Sequence, residues 1–299
     1  MQKQSITGKS QWTILKTLDW TTSYFKTNQI ENSKLSAEIL LANTLNIERI
    51  DLYLKYDQPL SNHELKKFKT LIKRRINREP VAYITGKKEF WSMPLKVTMD
   101  VLIPRPETEC LVEAALSLLS EKSTSVPNHI LELGTGSGAV TLALASMRPN
   151  DFFFSSDRSI KALELARKNA AAHKLDKAVV FVAGKWFRPF NDILFPFDMI
   201  ISNPPYILTE DIKRLQPEIY KYEPLIALDG GKDGLFHIKQ IINSAHSYLK
   251  EEGRLLLEIG SAQKDGVQKI IDQCRHYDEI LFTKDYSGYY RVVQMRKSK

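Results

Sequence analysis

The chain has 299 residues, of which 43% are hydrophobic and 26% charged, values typical of an enzyme with enough chain for two hydrophobic cores. No apolar run is long enough to cross a membrane, and the two cysteines and six histidines show neither a disulfide framework nor the spacing of a metal site. The net charge of +8 favours contact with an acidic partner, such as nucleic acid, a ribonucleoprotein or an acidic protein face.

The chain begins with a polar segment and continues with a helical region. Met1 to Trp12 lacks the apolar stretch of a secretory signal, so we expect a cytoplasmic protein. Apolar residues then recur at helical spacing, in Trp12-x-x-Leu15-x-x-Leu18 and again between Leu35 and Leu45. Ser61 to Glu64 have the sequence of a capping box that opens a further helix. These patterns predict a small all-α helical bundle over residues 1–80.

That last helix carries much of the positive charge. Its apolar residues fall on one side, and its basic residues are Lys66, Lys67, Lys69, Lys73, Arg74, Arg75 and Arg78. A solvated helix face explains this composition better than a nucleic-acid surface, because the repeated aromatic interleaving typical of nucleic-acid-binding segments is missing. We therefore expect no direct binding of nucleic acid.

The helical pattern stops at Glu79-Pro80, and a β-hairpin linker is predicted over residues 81–101 because Phe90 to Val97 resembles two short strands around a turn. From Ile103 onward a helix and then strands and helices alternate, which predicts an α/β domain over residues 102–299 with helices on both faces of a sheet. The predicted strands are Ile130–Leu133, Phe152–Ser156, Val179–Ala183, Met199–Ser202 and Arg254–Ile259, followed by an antiparallel pair, Glu279–Lys284 and Tyr290–Met295.

A glycine-rich loop, Gly134-Thr135-Gly136-Ser137-Gly138, follows the first of these strands. Glycines let the backbone pass close to a ligand where a strand leads into a helix. With Ala139 the loop also fits the G-x-G-x-x-G/A pattern of nicotinamide dinucleotide enzymes. Asp157 ends the next strand, where a carboxylate can accept from both hydroxyls of a ribose. These two features fit either a nicotinamide cofactor or S-adenosylmethionine.

The turn Asn203-Pro204-Pro205-Tyr206 ends a later apolar strand and distinguishes the two cofactors. Its prolines lack N–H groups, so the turn presents carbonyl oxygens, and the Asn203 side-chain oxygen adds another acceptor. Such a turn can hold both hydrogens of a planar NH2 group while Tyr206 offers a flat apolar face. Alone, an Asn-Pro-Pro sequence can simply end a buried strand. Together with the glycine-rich loop it predicts methyl transfer to nitrogen, which hydride transfer does not require.

Six segments taken together resemble the HemK/PrmC family, the bacterial methyltransferases of peptide chain release factors. The segments are Pro80–Gly86, Glu89–Trp91, Ile103–Glu109, Gly134–Gly138, Ser202–Ile207 and Tyr222–Pro224. The resemblance extends from about Pro80 to the C-terminus. The Asn-Pro-Pro-Tyr turn is shared with DNA adenine methyltransferases, but its combination with Ile103–Glu109 is far more specific to this family.

The resemblance implies a Rossmann-like, seven-stranded class I S-adenosylmethionine methyltransferase domain preceded by the small helical bundle. It implies methylation of N5 of the glutamine in the Gly-Gly-Gln loop of class 1 peptide chain release factors. S-adenosylmethionine would be the cofactor and S-adenosylhomocysteine the product. The bundle would help to hold the release factor, and we expect a monomer.

The resemblance also assigns the cofactor residues. Asp157 would bind the ribose and Trp186 would stack on the adenine, while the methionine end would lie against Gly134, Thr135, Gly136, Ser137 and Gly138. Lys185 departs from the family, in which the residue before the aromatic is commonly acidic. Because a lysine ammonium cannot accept a hydrogen bond, the sequence does not say which group recognises the adenine amino group.

For the substrate, Asn203 and the Pro204 carbonyl would take the two amide hydrogens, with Pro205 in the same turn and Tyr206 packed on the amide plane. Asn203 would also border the cofactor. Catalysis would then depend on orientation and require no general base. Residues expected to fix the surrounding loops by charged hydrogen bonds are Arg105, Glu107, Glu223 and Arg291, and those expected to have structural roles at strand ends are Glu132 and Glu258.

Two other functions fit part of the sequence. A DNA or RNA adenine methyltransferase would use the basic helix on phosphates and stack Tyr206 on a flipped base. The chain, however, has no obvious target-recognition domain and no DNA-reading motif. A catalytically silent adaptor would bind release factor or ribosome and keep S-adenosylmethionine as a structural ligand, and Lys185 is the feature that favours it.

Overall fold

The computed structural model describes residues 11–121, 126–190 and 196–299, and the first ten residues of the polar start lie outside these ranges. The chain forms two compact units, Met1–Gly86 and Lys87–Lys299. Within the described ranges, no helix combines the length and apolar composition needed to cross a membrane.

The first unit is a helical bundle, as predicted. Its helices are α1 Ile14–Thr27, α2 Ser33–Leu45, α3 Asp51–Leu54, α4 Asn62–Ile76 and α5 Val81–Thr85. The last of these differs from the sequence prediction, which placed residues 81–85 in a hairpin linker. Pro80 precedes the helix and Gly86 ends it in the left-handed region at φ +72°, so this short segment has both a favourable start and a favourable stop for a helical turn.

The buried face of α1 also differs from the pattern used to predict that helix. Trp12 and Leu15 are 41% and 46% exposed, whereas Ile14, Leu18 and Phe25 are buried. The helix begins at Ile14, so Trp12 precedes it, and the buried residues follow the helical spacing from Ile14 rather than from Trp12.

The basic helix α4 begins with the predicted capping box. The Ser61 side chain accepts from the Glu64 amide at 3.3 Å, and the Glu64 carboxylate accepts from the Ser61 amide at 2.7 Å. Phe68, Leu71 and Ile72 are buried against the other helices. The four lysines of the helix are exposed, in agreement with a solvated face.

The second unit begins with a hairpin of β1 Lys87–Phe90 and β2 Met93–Lys96. Phe90 pairs with Met93, and both residues of the turn between them, Trp91 and Ser92, have positive φ. Such a two-residue turn matches the twist of a hairpin. Two short strands around a turn are present, as predicted, but the first of them precedes the predicted segment Phe90–Val97 and shares only Phe90 with it.

The remaining strands form one seven-stranded sheet, as predicted. They are β3 His129–Leu133, β4 Phe152–Asp157, β5 Val179–Ala183, β6 Phe197–Ser202, β7 Leu249–Glu258, β8 Tyr277–Lys284 and β9 Tyr290–Lys297. Their order is β5-β4-β3-β6-β7-β9-β8, and β9 runs antiparallel to both of its neighbours. The helices between them are α6 Glu109–Glu121, α7 Ala139–Met147, α8 Ile160–Ala172, α9 Pro217–Tyr220, α10 Phe236–Ala245 and α11 Lys264–Cys274.

Helices cover both faces of this sheet. Ile130 packs in one apolar cluster with residues of α6 and α7, whereas its neighbour Leu131 packs in a second cluster with residues of α10 and α11. Successive side chains of a strand point to opposite faces, so each central strand contributes to both cores. This arrangement confirms the predicted α/β class and makes β3 and β6 the best-buried part of the unit.

Candidate active site

The two loops singled out in the sequence leave neighbouring strands at the carboxyl edge of the sheet. The glycine-rich loop follows β3, and the Asn-Pro-Pro-Tyr turn follows β6. Strand order reverses here, because β4 lies beyond β3 on one side and β7 lies beyond β6 on the other. Open α/β sheets bind ligands at such a switch point. The predicted cofactor loop and substrate turn are therefore close neighbours.

A cavity lies at this edge and, measured out to its open mouth, encloses about 1040 Å³. The predicted residues that line it are Gly134, Thr135, Gly136, Ser137, Asp157, Trp186, Asn203 and Pro205. The other predicted residues, all within the described ranges, do not form its wall: they are Gly138, Pro204 and Tyr206. Of the charged residues expected around the site, Arg105 and Glu132 line the cavity.

The glycine-rich loop has a conformation that requires glycine. Gly134, Gly136 and Gly138 have φ of +75°, +55° and +86°, a region that L side chains rarely adopt. A Cβ on Gly136 would meet nothing within 4 Å, so its backbone angle rather than crowding demands glycine. A Cβ on Gly138 would come within 3.3 Å of Ala166, so close packing of α7 on α8 adds to the backbone angle as a reason for glycine here.

Two carboxylates fix this loop. Asp157 accepts from the Gly136 amide at 2.9 Å and from the Ser159 amide at 2.8 Å, and burial raises its pKa. The buried Glu132 accepts from the Thr135 hydroxyl at 2.7 Å and from the Thr141 amide at 3.2 Å. Burial raises the pKa of Glu132 to about 7. Glu132 thus holds the loop from the protein interior, while each Asp157 oxygen keeps a lone pair for a ligand hydroxyl.

Trp186 lies beside the glycine-rich loop. A Cβ built on Gly134 would be 3.7 Å from the indole, and the indole N–H donates to Gln240 Oε1 at 3.2 Å. An indole face held in this way can stack on a planar base. Lys185 also lines the cavity. The glycine-rich loop, Asp157 and Trp186 therefore offer groups suited to the methionine, ribose and adenine parts of S-adenosylmethionine.

Asn203 is oriented by a residue to which the sequence analysis gave no role. Its side-chain nitrogen donates to the hydroxyl of Thr108 at 3.1 Å, and no residue in the described part of the chain donates to its side-chain oxygen. Thr108 ends the short 3-10 turn Pro106–Thr108 that precedes α6. In the sequence, the one indication of Thr108 was that it lies within Ile103–Glu109, a segment that carries the family resemblance.

Hydrogen bonds and close packing fix the position of Tyr206. Its hydroxyl donates to Glu258 Oε1 at 3.1 Å, and its carbonyl accepts from the Gln263 side chain at 2.9 Å. A Cβ on Gly230 would lie 2.7 Å from the Tyr206 backbone, and one on Gly234 would lie 2.5 Å from its carbonyl oxygen. Burial raises the pKa of the Tyr206 hydroxyl. The ring packs against the apolar cluster of α10 and α11, and no sequence pattern pointed to Gln263 or the two glycines.

Arg105 and Arg291 both make charged hydrogen bonds to loops, as expected, and Arg105 also lines the cavity. Arg105 donates to Glu223 at 2.6 Å, which joins the segment before α6 to the loop after α9. Arg291 donates to Asp285 at 3.1 Å through both Nε and Nη2, and so ties β9 to the loop that precedes it. Burial raises the pKa of Glu223. Within the described ranges these pairs stabilise loops, as expected for Arg105, Glu223 and Arg291.

One group of potential metal ligands lies elsewhere in the described residues. Ligand atoms of His246, Cys274 and His276 lie within 4.8 Å of one another, although their spacing in sequence gave no metal signal. The two imidazole rings stack 3.8 Å apart at 19°. Their lone pairs therefore lie in two nearly parallel planes, and a single ion could not meet both in the ring plane, as imidazole ligation requires. This arrangement is a ring stack rather than a coordination site.

Comparison with known families covers both units. Residues 16–86 match the family described as PrmC N-terminal domain, and residues 126–297 match a methyltransferase domain. The chain is 40% identical to the release factor glutamine methyltransferase of Geobacter sulfurreducens, over 94% of this chain and 96% of the relative. It is 39% identical to the protein of the same name from Haemophilus influenzae, over 90% of this chain and 93% of the relative.

Solved structures share the fold at lower identity. The hMettl16 catalytic domain, determined in complex with MAT2A 3′UTR hairpin 1, superposes with a TM-score of 0.56 at 14% identity, covering 80% of this chain and 81% of that one. Human methyltransferase 10 domain containing protein gives a TM-score of 0.51 at 14% identity, over 70% of this chain and 89% of that one. At this identity the likeness concerns the fold alone.

Proposed function

Because the chain belongs to the release factor glutamine methyltransferase family, we propose that it methylates the side-chain amide nitrogen of a release-factor glutamine with S-adenosylmethionine. The nitrogen is N5 of the glutamine in the Gly-Gly-Gln loop of class 1 peptide chain release factors. The single observation that supports this chemistry best is the Asn203 side chain, whose nitrogen donates to Thr108 and whose oxygen accepts from none of the described residues.

The groups that line the cavity are suited to binding the cofactor. We propose that the glycine-rich loop Gly134–Gly138 surrounds the methionine end, that Asp157 accepts from the ribose hydroxyls and that Trp186 stacks on the adenine. Asn203 borders the same cavity. When bound, S-adenosylmethionine supplies a methyl group made electrophilic by its sulfonium. The residues of the chain then have to bind the cofactor and the glutamine, orient them towards each other and exclude water.

The Asn-Pro-Pro-Tyr turn performs the orientation. In our proposal, the Asn203 side-chain oxygen and the Pro204 carbonyl accept the two hydrogens of the glutamine amide. Pro205 adds no competing N–H, because proline has none. With both hydrogens held, the amide nitrogen is turned so that its lone pair faces the cavity, and catalysis follows from position. Tyr206, whose hydroxyl is bound to Glu258, provides a fixed ring beside the amide plane.

We further propose the following roles for the parts of the chain. The helical bundle, Met1–Gly86, contacts the release factor, and the second unit, Lys87–Lys299, carries out methyl transfer. The enzyme acts as a monomer on a protein substrate and does not bind nucleic acid directly, because Phe68, the aromatic residue among the exposed lysines of α4, is buried and cannot stack on a base. An enzyme that modifies a translation factor works where translation occurs, so its location is the cytoplasm.

The test is a methyl-transfer assay with labelled S-adenosylmethionine. The acceptors are a purified class 1 release factor, the same factor with the glutamine of its Gly-Gly-Gln loop replaced by alanine, and duplex DNA. We expect label in the unmodified release factor alone, and at the glutamine side chain when the peptide is mapped by mass spectrometry. Equal labelling of the alanine variant, or labelling of the DNA, would contradict the proposal.

A further inference from the structure

The side-chain amide of Gln263 has three hydrogen-bond partners, and all of them are backbone groups. Its Oε1 accepts from the Gly260 amide at 2.8 Å, and its Nε2 donates to the Tyr206 carbonyl at 2.9 Å and to the Gly234 carbonyl at 3.1 Å. A backbone N–H can only donate, and a backbone carbonyl can only accept. The orientation of the Gln263 amide is therefore fixed, because rotation by half a turn would set donor against donor and acceptor against acceptor.

Three glycines let the backbone approach this amide and Tyr206 closely. A Cβ on Gly234 would lie 2.6 Å from Gln263 Nε2 and 2.5 Å from the Tyr206 carbonyl oxygen. A Cβ on Gly230 would lie 2.7 Å from the Tyr206 backbone, and one on Gly260 would lie 3.0 Å from Gln263 Oε1. Any side chain at Gly230 or Gly234 would thus displace its neighbours. We call Gln263 and these three glycines the Tyr206 clamp.

The Tyr206 clamp joins three loops that are distant in sequence. Tyr206 follows β6, Gly260 follows the neighbouring strand β7, and Gly234 lies in the loop that leads into α10. Gln263 itself is not part of the cavity wall. An effect of Gln263 on the reaction would therefore have to pass through Tyr206.

The bond from Gln263 fixes the main chain of the Asn-Pro-Pro-Tyr turn at its last residue. The two prolines have φ fixed by their rings, and the Tyr206 hydroxyl is bound to Glu258 at 3.1 Å. The Gln263 amide holds the other end of the same residue, the Tyr206 carbonyl. With both ends of Tyr206 held, the backbone that leads to it from Asn203 has little freedom. Catalysis by orientation requires such a restricted turn.

We propose that Gln263 is a positioning residue for methyl transfer. By donating to the Tyr206 carbonyl, it holds the Asn-Pro-Pro-Tyr turn in the geometry that presents the glutamine amide to the cofactor. The inference rests on the proposed methylation of glutamine. It assigns this role to the donor end of the Gln263 amide, whereas the acceptor end anchors Gln263 to Gly260.

The first experiment separates the two ends of the amide. Gln263→Glu keeps an acceptor for the Gly260 amide and loses both donors, whereas Gln263→Lys keeps a donor for the carbonyls and loses the acceptor. We expect kcat with release factor to fall at least about tenfold in Gln263→Glu and to stay within about threefold in Gln263→Lys. The Kd of S-adenosylhomocysteine should stay within about twofold in both variants, because Gln263 lies outside the cavity wall.

The order of the two variants distinguishes positioning from a merely structural role. Gln263 directly precedes α11, where the helix dipole favours a negative charge and opposes a positive one. If Gln263 served only to start this helix, Gln263→Glu would be both the more stable and the more active variant. We expect Gln263→Lys to be the more active one, whichever of the two unfolds at the lower urea concentration.

The matched control is Gln268→Glu, which makes the same change within α11 at a glutamine that donates to Asp272 at 2.8 Å. It should leave kcat unchanged. Gln263→Met removes donor and acceptor without adding a charge, and it should lose kcat at least about tenfold even if Gln263→Glu does not fold.

Two results would overturn the positioning role and leave methylation of the release factor standing. One is that Gln263→Met and every folded Gln263→Glu sample keep the kcat of the unmodified enzyme. The other is that Gln263→Lys loses as much kcat as Gln263→Met. If the unmodified enzyme transfers no methyl group to release factor, the proposed function fails, and this inference fails with it.

Discussion

Asn203 and Asp157 belong to different steps of the proposed reaction, so their substitutions should separate turnover from cofactor affinity. Asn203→Ala removes an acceptor for the substrate amide, and we expect kcat to fall by about 100-fold or more. Asp157→Ala removes a carboxylate that is held by the Gly136 and Ser159 amides. It should weaken S-adenosylhomocysteine binding by about 10- to 100-fold.

The measurement pairs steady-state kinetics on release factor with calorimetric titration of S-adenosylhomocysteine. Similar losses of kcat and of cofactor affinity in Asn203→Ala would show that Asn203 serves the cofactor rather than the substrate.

Glu132 makes the stability of the protein depend on pH. Its pKa is about 7 in the folded protein against an ordinary value of 4.5. Between pH 4.5 and about 7, Glu132 therefore keeps its proton in the folded state, whereas it has released that proton in the unfolded state. The contribution of Glu132 to stability is complete below pH 4.5 and is lost as pH rises through about 7. At pH 8 the buried carboxylate costs on the order of 3 kcal/mol.

Glu132→Gln keeps an acceptor for Thr135 and Thr141 but cannot ionise. Relative to the unmodified protein, this variant should therefore become more stable in urea unfolding as the pH is raised from 5 to 8. Glu251→Gln changes an exposed residue and is the matched control. A stability difference for Glu132→Gln that is the same at both pH values would show that Glu132 is ionised throughout.

At the level of secondary-structure elements, the sequence predicted correctly those helices and strands that a single local residue pattern specifies. The central strands β3 and β6 were recognisable because each is a short apolar run between turns that is buried on both faces, whereas β8 at the sheet edge is largely half-exposed. The capping box of α4 was readable because both of its bonds join residues three apart. By contrast, the buried face of α1 depends on where the helix starts, and apolar residues such as Leu15 fit more than one helical face.

The candidate site likewise has residues that the sequence indicated and residues that it did not. The glycine-rich loop, Asp157 and Asn203 could be named because the cofactor and substrate chemistry restrict their residue types. Thr108, Gln240 and Gln263 were missed, since each acts through a partner distant in sequence: Asn203, Trp186 and Tyr206 respectively. Such contacts depend on the fold and leave no pattern in a single sequence. Tyr206 was assigned a substrate-facing ring, which stays a prediction, and its bond to Glu258 was not foreseen.

Helix α4 depends on its capping box. Ser61→Ala removes the side chain that accepts from the Glu64 amide, and we expect the free energy of unfolding to fall by about 1 kcal/mol. Ser61→Asp keeps a capping acceptor and should retain more of the stability than alanine does, although it places a second carboxylate near Glu64. Urea unfolding followed by circular dichroism gives both values. Equal stability of the alanine and unmodified forms would mean that the cap contributes nothing.

On the scale of the whole molecule, each unit has its own apolar core. Leu40 is completely buried in the bundle, and Leu40→Ala should cost about 2–5 kcal/mol there. The cavity is lined by residues of the second unit only. We therefore expect faster amide hydrogen exchange in α1, α2 and α4 of this variant, with the Kd of S-adenosylhomocysteine unchanged. S-adenosylhomocysteine should in turn slow exchange around Gly134–Gly138 without protecting α2.

These exchange rates can be measured by mass spectrometry on peptic peptides. Protection of α2 by S-adenosylhomocysteine would show that cofactor binding reaches the bundle.

The last residues of β3 and β6 are fastened to each other. Leu133 pairs with Ser202 in the sheet, and the Ser202 hydroxyl donates to the Leu133 carbonyl at 2.7 Å. One step beyond this pair, the chain enters Gly134 on one side and Asn203 on the other. The distance across which a methyl group would travel is thus set by two backbones that are hydrogen-bonded to each other at the end of neighbouring strands. Sequence changes elsewhere in the enzyme can therefore alter the rim of the cavity while this distance is kept.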